Sequence, residues 1–212
     1  ELHVEIMADA ERKTSRYDLV AVDLPWIGQL ATEGLIEPLD QVMHDAHYNP
    51  SDFHNAAYRG SSWNGSQYGL PIQPTAELLF CRADLFAEAG LTYPTTTDEL
   101  LLAARVLHRS RFSMSGIVMN FGRGTPVAHT FMQTLADFGQ PIINLTPLGD
   151  EFNVVEIDGE NYRPQLDTDA ARQAAEFLLE LAESSHKDSL ICDWDRRIGI
   201  FSRGEAAMTY GW

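Results

Sequence analysis

Leu100, Ala103, Ala104 and Leu107 recur at the three- and four-residue steps of a helix with one buried stripe, and Thr96 followed by Glu99 opens that helix with a capping box. The same period runs through Ala171, Ala174, Ala175, Leu178 and Ala182, behind Thr168 as the cap. Residues 83–89 predict a shorter helix stopped by Gly90, and 194–202 another ended near Gly204. Residues 126–138 read as a helix with Pro126 first, Thr125 capping it and Gly139 beyond. At the start, Leu2, Ile6, Met7 and Ala10 suit an amphipathic helix, although Leu2, Val4 and Ile6 also fit a strand. The apolar, β-branched run 18–22 predicts a strand, followed by Pro25 and a helix closed by Gly34, which is the repeating unit of a parallel sheet. Residues 116–120 read as the next buried strand, 206–210 as a final strand, and 140–165 as a polar hairpin or excursion. The order is mixed α/β. Ligands of parallel sheets sit beyond the carboxyl ends of strands, which sets Asp23 and Trp26 where a ligand would be.

Residues 58–91 are the most informative stretch. Asn64-Gly65 supplies the two positive-φ residues of a type I′ turn between aromatic-flanked strands. Pro71 and Pro74 then keep the backbone extended and forbid a central, fully paired strand, as a crossing between two lobes requires.

Composition narrows the picture. The 212 residues are 44% hydrophobic, enough for an ordinary core, and no stretch approaches the roughly 20 apolar residues of a membrane span. A formal net charge of -16, spread along the chain, would repel phosphate backbones and anionic lipid, so nucleic acid is not an expected partner. Cys81 and Cys192 are too few for a disulfide framework and lack metal-ligand spacing, which favours a buried free thiol at Cys81 over a bridge between them. His44, His47 and His54 follow no recognised zinc pattern. No metal or cofactor is expected. Asp193 and Asp195, two residues apart at a helix start, read as caps.

Tyr68-Gly69-Leu70-Pro71, followed by residues 78–86 and by Ala89-Gly90-Leu91, closely resembles the segment that crosses the hinge in the sugar-binding proteins of bacterial ABC importers, the extracellular solute-binding proteins of the maltose-binding type. The stretches "YDLVAVDLPW" and "EGLIEPLD" resemble that family's early strand-loop-helix, 94–107 its next helix, and 201–212 its closing strand ending in Gly-Trp. Four such matches in the right order cover nearly the whole chain. The resemblance implies a type II periplasmic-binding-protein-like fold of two lobes and a hinge, with the first lobe incomplete. Residues 1–73 are expected to form part of the first lobe and the approach to the hinge, and 74–212 a nearly complete second lobe. The family's first strand and its long C-terminal portion have no counterpart, so the chain reads as a central fragment, with unpaired edges that favour self-association.

The function implied is non-enzymatic: binding of a sugar or sugar alcohol between the lobes and delivery to ABC permease subunits in the membrane, in the periplasm or on the extracellular side of the membrane. No signal peptide is present in this chain. The resemblance assigns sugar stacking to Trp212, with Tyr210 beside it. Trp26 is either a second stacking face or a packed helix residue. Asp23 suits a hydroxyl acceptor or the cap of the helix at Pro25, roles that do not exclude one another. Gln73 and Thr75, on the crossing, are within reach of ligand hydroxyls. Arg123, Thr125 and the first N–H groups of the following helix make a donor-rich end, without the lysine and spacing of a nucleotide loop; His129, one turn on, faces the same cleft or packs. Trp63 and Trp194 read as structural. Two rival classes remain, a ligand-sensing domain of a transcription regulator or receptor on the same architecture, and a carbohydrate-active enzyme, for which the sequence nominates no pair of carboxyls.

Overall fold

The computed structural model describes residues 2–73, 75–109, 113–149 and 151–212, so Glu1 and Pro74, the second breaker of the crossing, lie outside the described residues. The chain divides into two compact units, Glu1–Thr75 and Ala76–Trp212.

The first unit comprises α1 (Leu2–Ala10), α2 (Leu24–Thr32), α3 (Asp40–Asp45), a 3-10 turn at Pro50–Asp52, α4 (Asn55–Gly60) and the hairpin of β1 (Ser62–Trp63) and β2 (Ser66–Gln67). Of the two readings of the first residues, the helix forms and buries Ile6. Asp9 at its end accepts the Ser15 hydroxyl at 2.7 Å and the Arg16 Nε at 3.0 Å, contacts that hold its carboxyl below the usual range. The hairpin turns at Asn64 (φ 47°) and Gly65 (φ 81°), pairing Trp63 with Ser66, as a type I′ turn requires. Trp63 packs on Gly28 of α2, where a Cβ would come within 3.0 Å of the indole.

The expected strand at 18–22 does not form. A strand exists only through its neighbours' hydrogen bonds, and among the described residues no segment pairs with this one; Leu19 is 91% exposed. The extended run ends at Asp23, which takes the N-cap position of α2, but its carboxylate makes no cap bond.

The second unit comprises β3 (Leu78–Cys81), α5 (Ala83–Ala89), α6 (Thr97–Leu107), α7 (Thr125–Asp137), β4 (Pro147–Leu148), β5 (Glu151–Phe152), α8 (Asp169–Glu183), a 3-10 turn at Lys187–Ile191, α9 (Trp194–Ser202) and β6 (Met208–Gly211). β3 and β6 pair antiparallel, from Leu78↔Gly211 to Cys81↔Met208. On the other side of β6 the segment 115–118 runs parallel, through Ser115↔Ala206 and Val118↔Thr209, and Ile117 bridges onward to Ser185. The buried strand expected at 116–120 is thus a series of bridges and not a continuous ladder. Its side chains alternate: Ile117 and Met119 join the core of Leu85, Phe86, Leu107, Leu178 and Leu181, while Val118 packs with Cys192, Ile200 and Ala206. Apolar residues cover both faces, as parallel pairing demands. Gly116 lets this segment approach α6, for a Cβ there would lie 2.0 Å from the Ala104 carbonyl oxygen.

Capping by side chains follows the sequence at Thr96 and Thr168 but not at Asp23 or Thr125. The Thr96 hydroxyl accepts from Glu99 N at 3.2 Å and that of Thr168 from Ala171 N at 3.1 Å. Glu99 closes its box one residue early, on the backbone N–H and hydroxyl of Thr95. At α7 the cap is Gly124 (φ 94°), and Thr125 is the first helical residue with no capping bond, because the chain enters through a backbone conformation that suits glycine. On α8 the buried stripe is Ala171, Ala174, Phe177, Leu178 and Leu181; Ala175 is exposed and Ala182 half-buried. The helix packs its alanines on Leu135 of α7 and its larger residues into the main core, which rotates the stripe away from Ala175. β6 begins two residues later than the expected final strand because its ladder is set by β3. The excursion 140–165 contains the β4–β5 hairpin, closed by Ile143↔Pro164. Both cysteines are free thiols, and burial pushes each thiol's pKa up. Among the described residues no helix is long and apolar enough to cross a membrane.

Candidate functional site

Within the second unit, side chains from the approach to β3, from α7, from α9 and from the end of β6 come together. β6 carries Trp212 just past its last residue, 52% exposed. α9 contributes Trp194 as its first residue and Arg197 three positions on, a spacing that puts both on one helix face. The Trp194 and Trp212 ring centroids are 6.4 Å apart, and the His129 ring from α7 stands edge-on at 6.0 Å from Trp194 and 6.4 Å from Trp212. The Arg197 guanidinium lies 5.7 Å from the centroid of Trp212, within cation–π range.

Beside this aromatic group is a buried ion pair. Arg197 Nη1 donates to Glu77 Oε1 at 2.8 Å, with side chains only 2% and 6% exposed. Asn120, fully buried, donates to the Asp193 carbonyl at 2.8 Å and accepts from Arg197 Nη1 at 3.1 Å, the amide orientation that satisfies both neighbours. Asp193 in turn caps α9 by accepting from Arg196 N at 3.0 Å, as the sequence predicts. The arginine is therefore positioned from two sides.

Four polar atoms around the pair have no hydrogen-bond partner among the described residues: Glu77 Oε2, His129 Nδ1, and Nε and Nη2 of Arg197. Glu77 Oε2 and His129 Nδ1 are 3.7 Å apart, too far for a hydrogen bond. Leaving a buried polar atom unpartnered costs roughly 1–3 kcal/mol, and more when it is charged. Donors and an acceptor beside an aromatic face are what a polyhydroxylated molecule satisfies, its C–H surface on the ring and its hydroxyls bridging the charges.

Of the residues the sequence nominates, His129, Tyr210 and Trp212 are gathered around Arg197 and Glu77. Tyr210 is half-buried, and its phenol is pushed up to about 12 by burial first and then by the carboxylates of Asp137 and Glu77. Arg123 and Thr125 are exposed at the start of α7, one helical turn before His129. In the first unit, Trp26 is half-buried with the His3 ring at 4.9 Å, while Asp23, Gln73 and Thr75 are exposed. Sequence reasoning missed Glu77, Asn120 and Arg197 and read Trp194 as structural. The three-residue step from Trp194 to Arg197 was the available signal, since it puts an aromatic and a cation on one face. Among the described residues no group of three or more histidines, cysteines or carboxylates is placed to hold a metal, and His44, His47 and His54 form none.

This architecture is the type II periplasmic-binding-protein-like fold. A solved solute-binding protein of Agrobacterium radiobacter K84 in complex with ribitol matches at a TM-score of 0.81 and 27% identity, covering 100% of this chain and 50% of that one. One of Agrobacterium vitis S4 with bound D-mannitol matches at 0.75 and 20% identity, covering 99% and 48%. The mannitol-binding protein of Pseudomonas aeruginosa is 23% identical over 211 residues, 98% of this chain and 44% of that protein. The bacterial extracellular solute-binding protein family matches residues 4–212, and the chain belongs to that family. It spans about half the length of these relatives.

Proposed function

We propose that this chain is part of the substrate-binding component of an ABC importer, a non-enzymatic receptor that takes a neutral sugar or sugar alcohol and hands it to permease subunits from the periplasmic side of the membrane. The observation that carries the reading is the grouping of Trp212, Trp194 and His129 beside the buried Arg197–Glu77 pair with its unpartnered atoms. In this reading residues 1–73 and 74–212 belong to the two lobes, Gln73 and Thr75 lie on the crossing, and Asp23 and Trp26 are ligand-binding residues of the first lobe. Ligand groups on both lobes favour the closed receptor, so binding shifts a hinge equilibrium by the difference in affinity between closed and open forms. The relatives with ribitol and mannitol bound support a polyol as the first ligand to try.

The test is calorimetric titration of the full-length parent with ribitol, mannitol, maltose and a wider panel of neutral sugars. At least one should bind, and Trp212→Ala should weaken it tenfold or more, since losing a stacking face costs about 1–3 kcal/mol. The thermal midpoint of the unliganded protein should stay within a few degrees, because the side chain is half exposed. Failure of every neutral sugar and polyol to bind refutes the receptor reading, and unchanged affinity in the variant removes Trp212 from the site.

A further inference from the structure

Glu77 and Arg197 also line a pocket of about 230 Å³, together with Gln133, Thr134 and Asp137 of α7 and Tyr210 of β6. The volume is below the roughly 300–1,000 Å³ of a site that swallows a drug-sized ligand, and well above the roughly 30 Å³ of one water molecule. It suits one end of a small molecule. Both ionic side chains are more than nine-tenths buried and keep unpartnered atoms, Oε2 on the glutamate and Nε and Nη2 on the arginine. The Thr134 hydroxyl donates to the Thr130 carbonyl at 2.9 Å, which leaves it only lone pairs to offer.

The charges decide what kind of end group belongs there. Two carboxylates, Glu77 and Asp137, and one guanidinium line the pocket; Glu77 already holds the guanidinium at 2.8 Å, and its other oxygen stands 3.7 Å from the His129 ring. Burial first, and then the same two carboxylates, oppose ionisation of the Tyr210 phenol, so a negative charge is disfavoured at this place. A hydroxyl, which both donates and accepts, meets the glutamate oxygen and the arginine N–H groups at once; a carboxylate offers no proton to Glu77 and repels it.

We propose that this pocket is a selectivity subsite for a neutral, hydroxyl-bearing end of the ligand, in which Arg197 donates to and Glu77 accepts from a primary alcohol, and which rejects the same molecule oxidised to the acid at that end. The inference rests on the receptor reading above. Discrimination comes from Asp137 and Glu77 and not from the tryptophan face, which is indifferent to the charge of the end group.

The full-length receptor is titrated at neutral pH with mannitol and ribitol, and with mannonate and ribonate. The acids should bind at least 30-fold more weakly than their alcohols, and Asp137→Asn should narrow that ratio threefold or more. Ala136→Leu, which fills the pocket from an exposed position on α7, should weaken the alcohols tenfold or more with an unchanged thermal midpoint. Acids that bind within threefold of the alcohols overturn the proposal, and this comparison needs no variant. A neutral ligand that binds wild type and Ala136→Leu equally overturns the subsite and leaves the receptor reading standing. Failure of every neutral ligand overturns both.

Discussion

Substituting Arg197 alone, with Arg197→Met, tests the core of the site on this chain without any ligand. Its Nη1 sits 2.8 Å from Glu77 Oε1 with both side chains almost fully excluded from water, so removing the cation strands a buried carboxylate. Breaking a buried pair from one side costs about 3–5 kcal/mol, because the desolvation of the remaining ion is no longer offset. For a chain of this size each kcal/mol moves the midpoint by about 2–4 °C, so Arg197→Met should melt roughly 6–20 °C lower. The double variant Arg197→Met/Glu77→Met should regain most of the loss, since replacing both charges with apolar side chains of similar length leaves no stranded ion. Thermal and urea unfolding of wild type, both single variants and the double variant give the coupling energy. A loss below about 1 kcal/mol in Arg197→Met would mean that water reaches the pair and that it is an ordinary surface contact. In the full-length protein the double variant should fold and, under the proposed function, fail to bind, which separates the pair's role toward ligand from any structural one.

The Tyr210 phenol, with a folded pKa of about 12 against an ordinary 10, contributes stability that is fully present below pH 10 and is lost as pH rises from 10 through 12, up to about 2 kcal/mol after allowing for its partial exposure. Urea midpoints at pH 8 and pH 11 should therefore fall further for wild type than for Tyr210→Phe; equal falls would refute it. Gly116→Ala should cost more than about 3 kcal/mol or abolish folding, since its Cβ would meet the Ala104 carbonyl oxygen at 2.0 Å. Gly199→Ala, inside α9 and near only the movable end of Arg203, should instead be neutral or stabilising by up to about 1 kcal/mol. Similar losses from the two alanines would refute that packing argument.

Local signals in the sequence carried the elements whose cause is local. Asn64-Gly65 makes its turn, Gly90 ends α5 at φ 67°, and Thr96, Thr168 and Asp193 cap the helices they precede, because each acts through hydrogen bonds or dihedrals within four residues. Where the cause is a distant neighbour, the reading failed. Residues 18–22 have the composition of a strand and no partner among the described residues; the α8 stripe turned toward Phe177 and Leu181 because α7 and the main core share that helix. Arg197 was invisible for the same reason, since its partner Glu77 lies 120 positions away in the sequence. Trp212 and His129 could be nominated singly, but nothing local joins them to each other or to Trp194.

Among the described residues most buried polar side chains are partnered, and this makes the unpartnered ones meaningful. Asp9 takes Ser15 and Arg16, the Gln67 amide reaches the carbonyls of Tyr58 and Gly69, and Asn120 bridges Asp193 and Arg197. Among the described residues five buried side-chain atoms have no partner; four surround Arg197 and Glu77, and the fifth, His3 Nε2, belongs to the ring tilted against Trp26. Unmet polar atoms scattered at random would simply be defects, each at a cost of roughly 1–3 kcal/mol. Four of the five are instead concentrated beside Trp212 and Trp194, and under the proposed function their penalty is relieved when a hydroxyl-rich ligand binds, free energy that then favours binding.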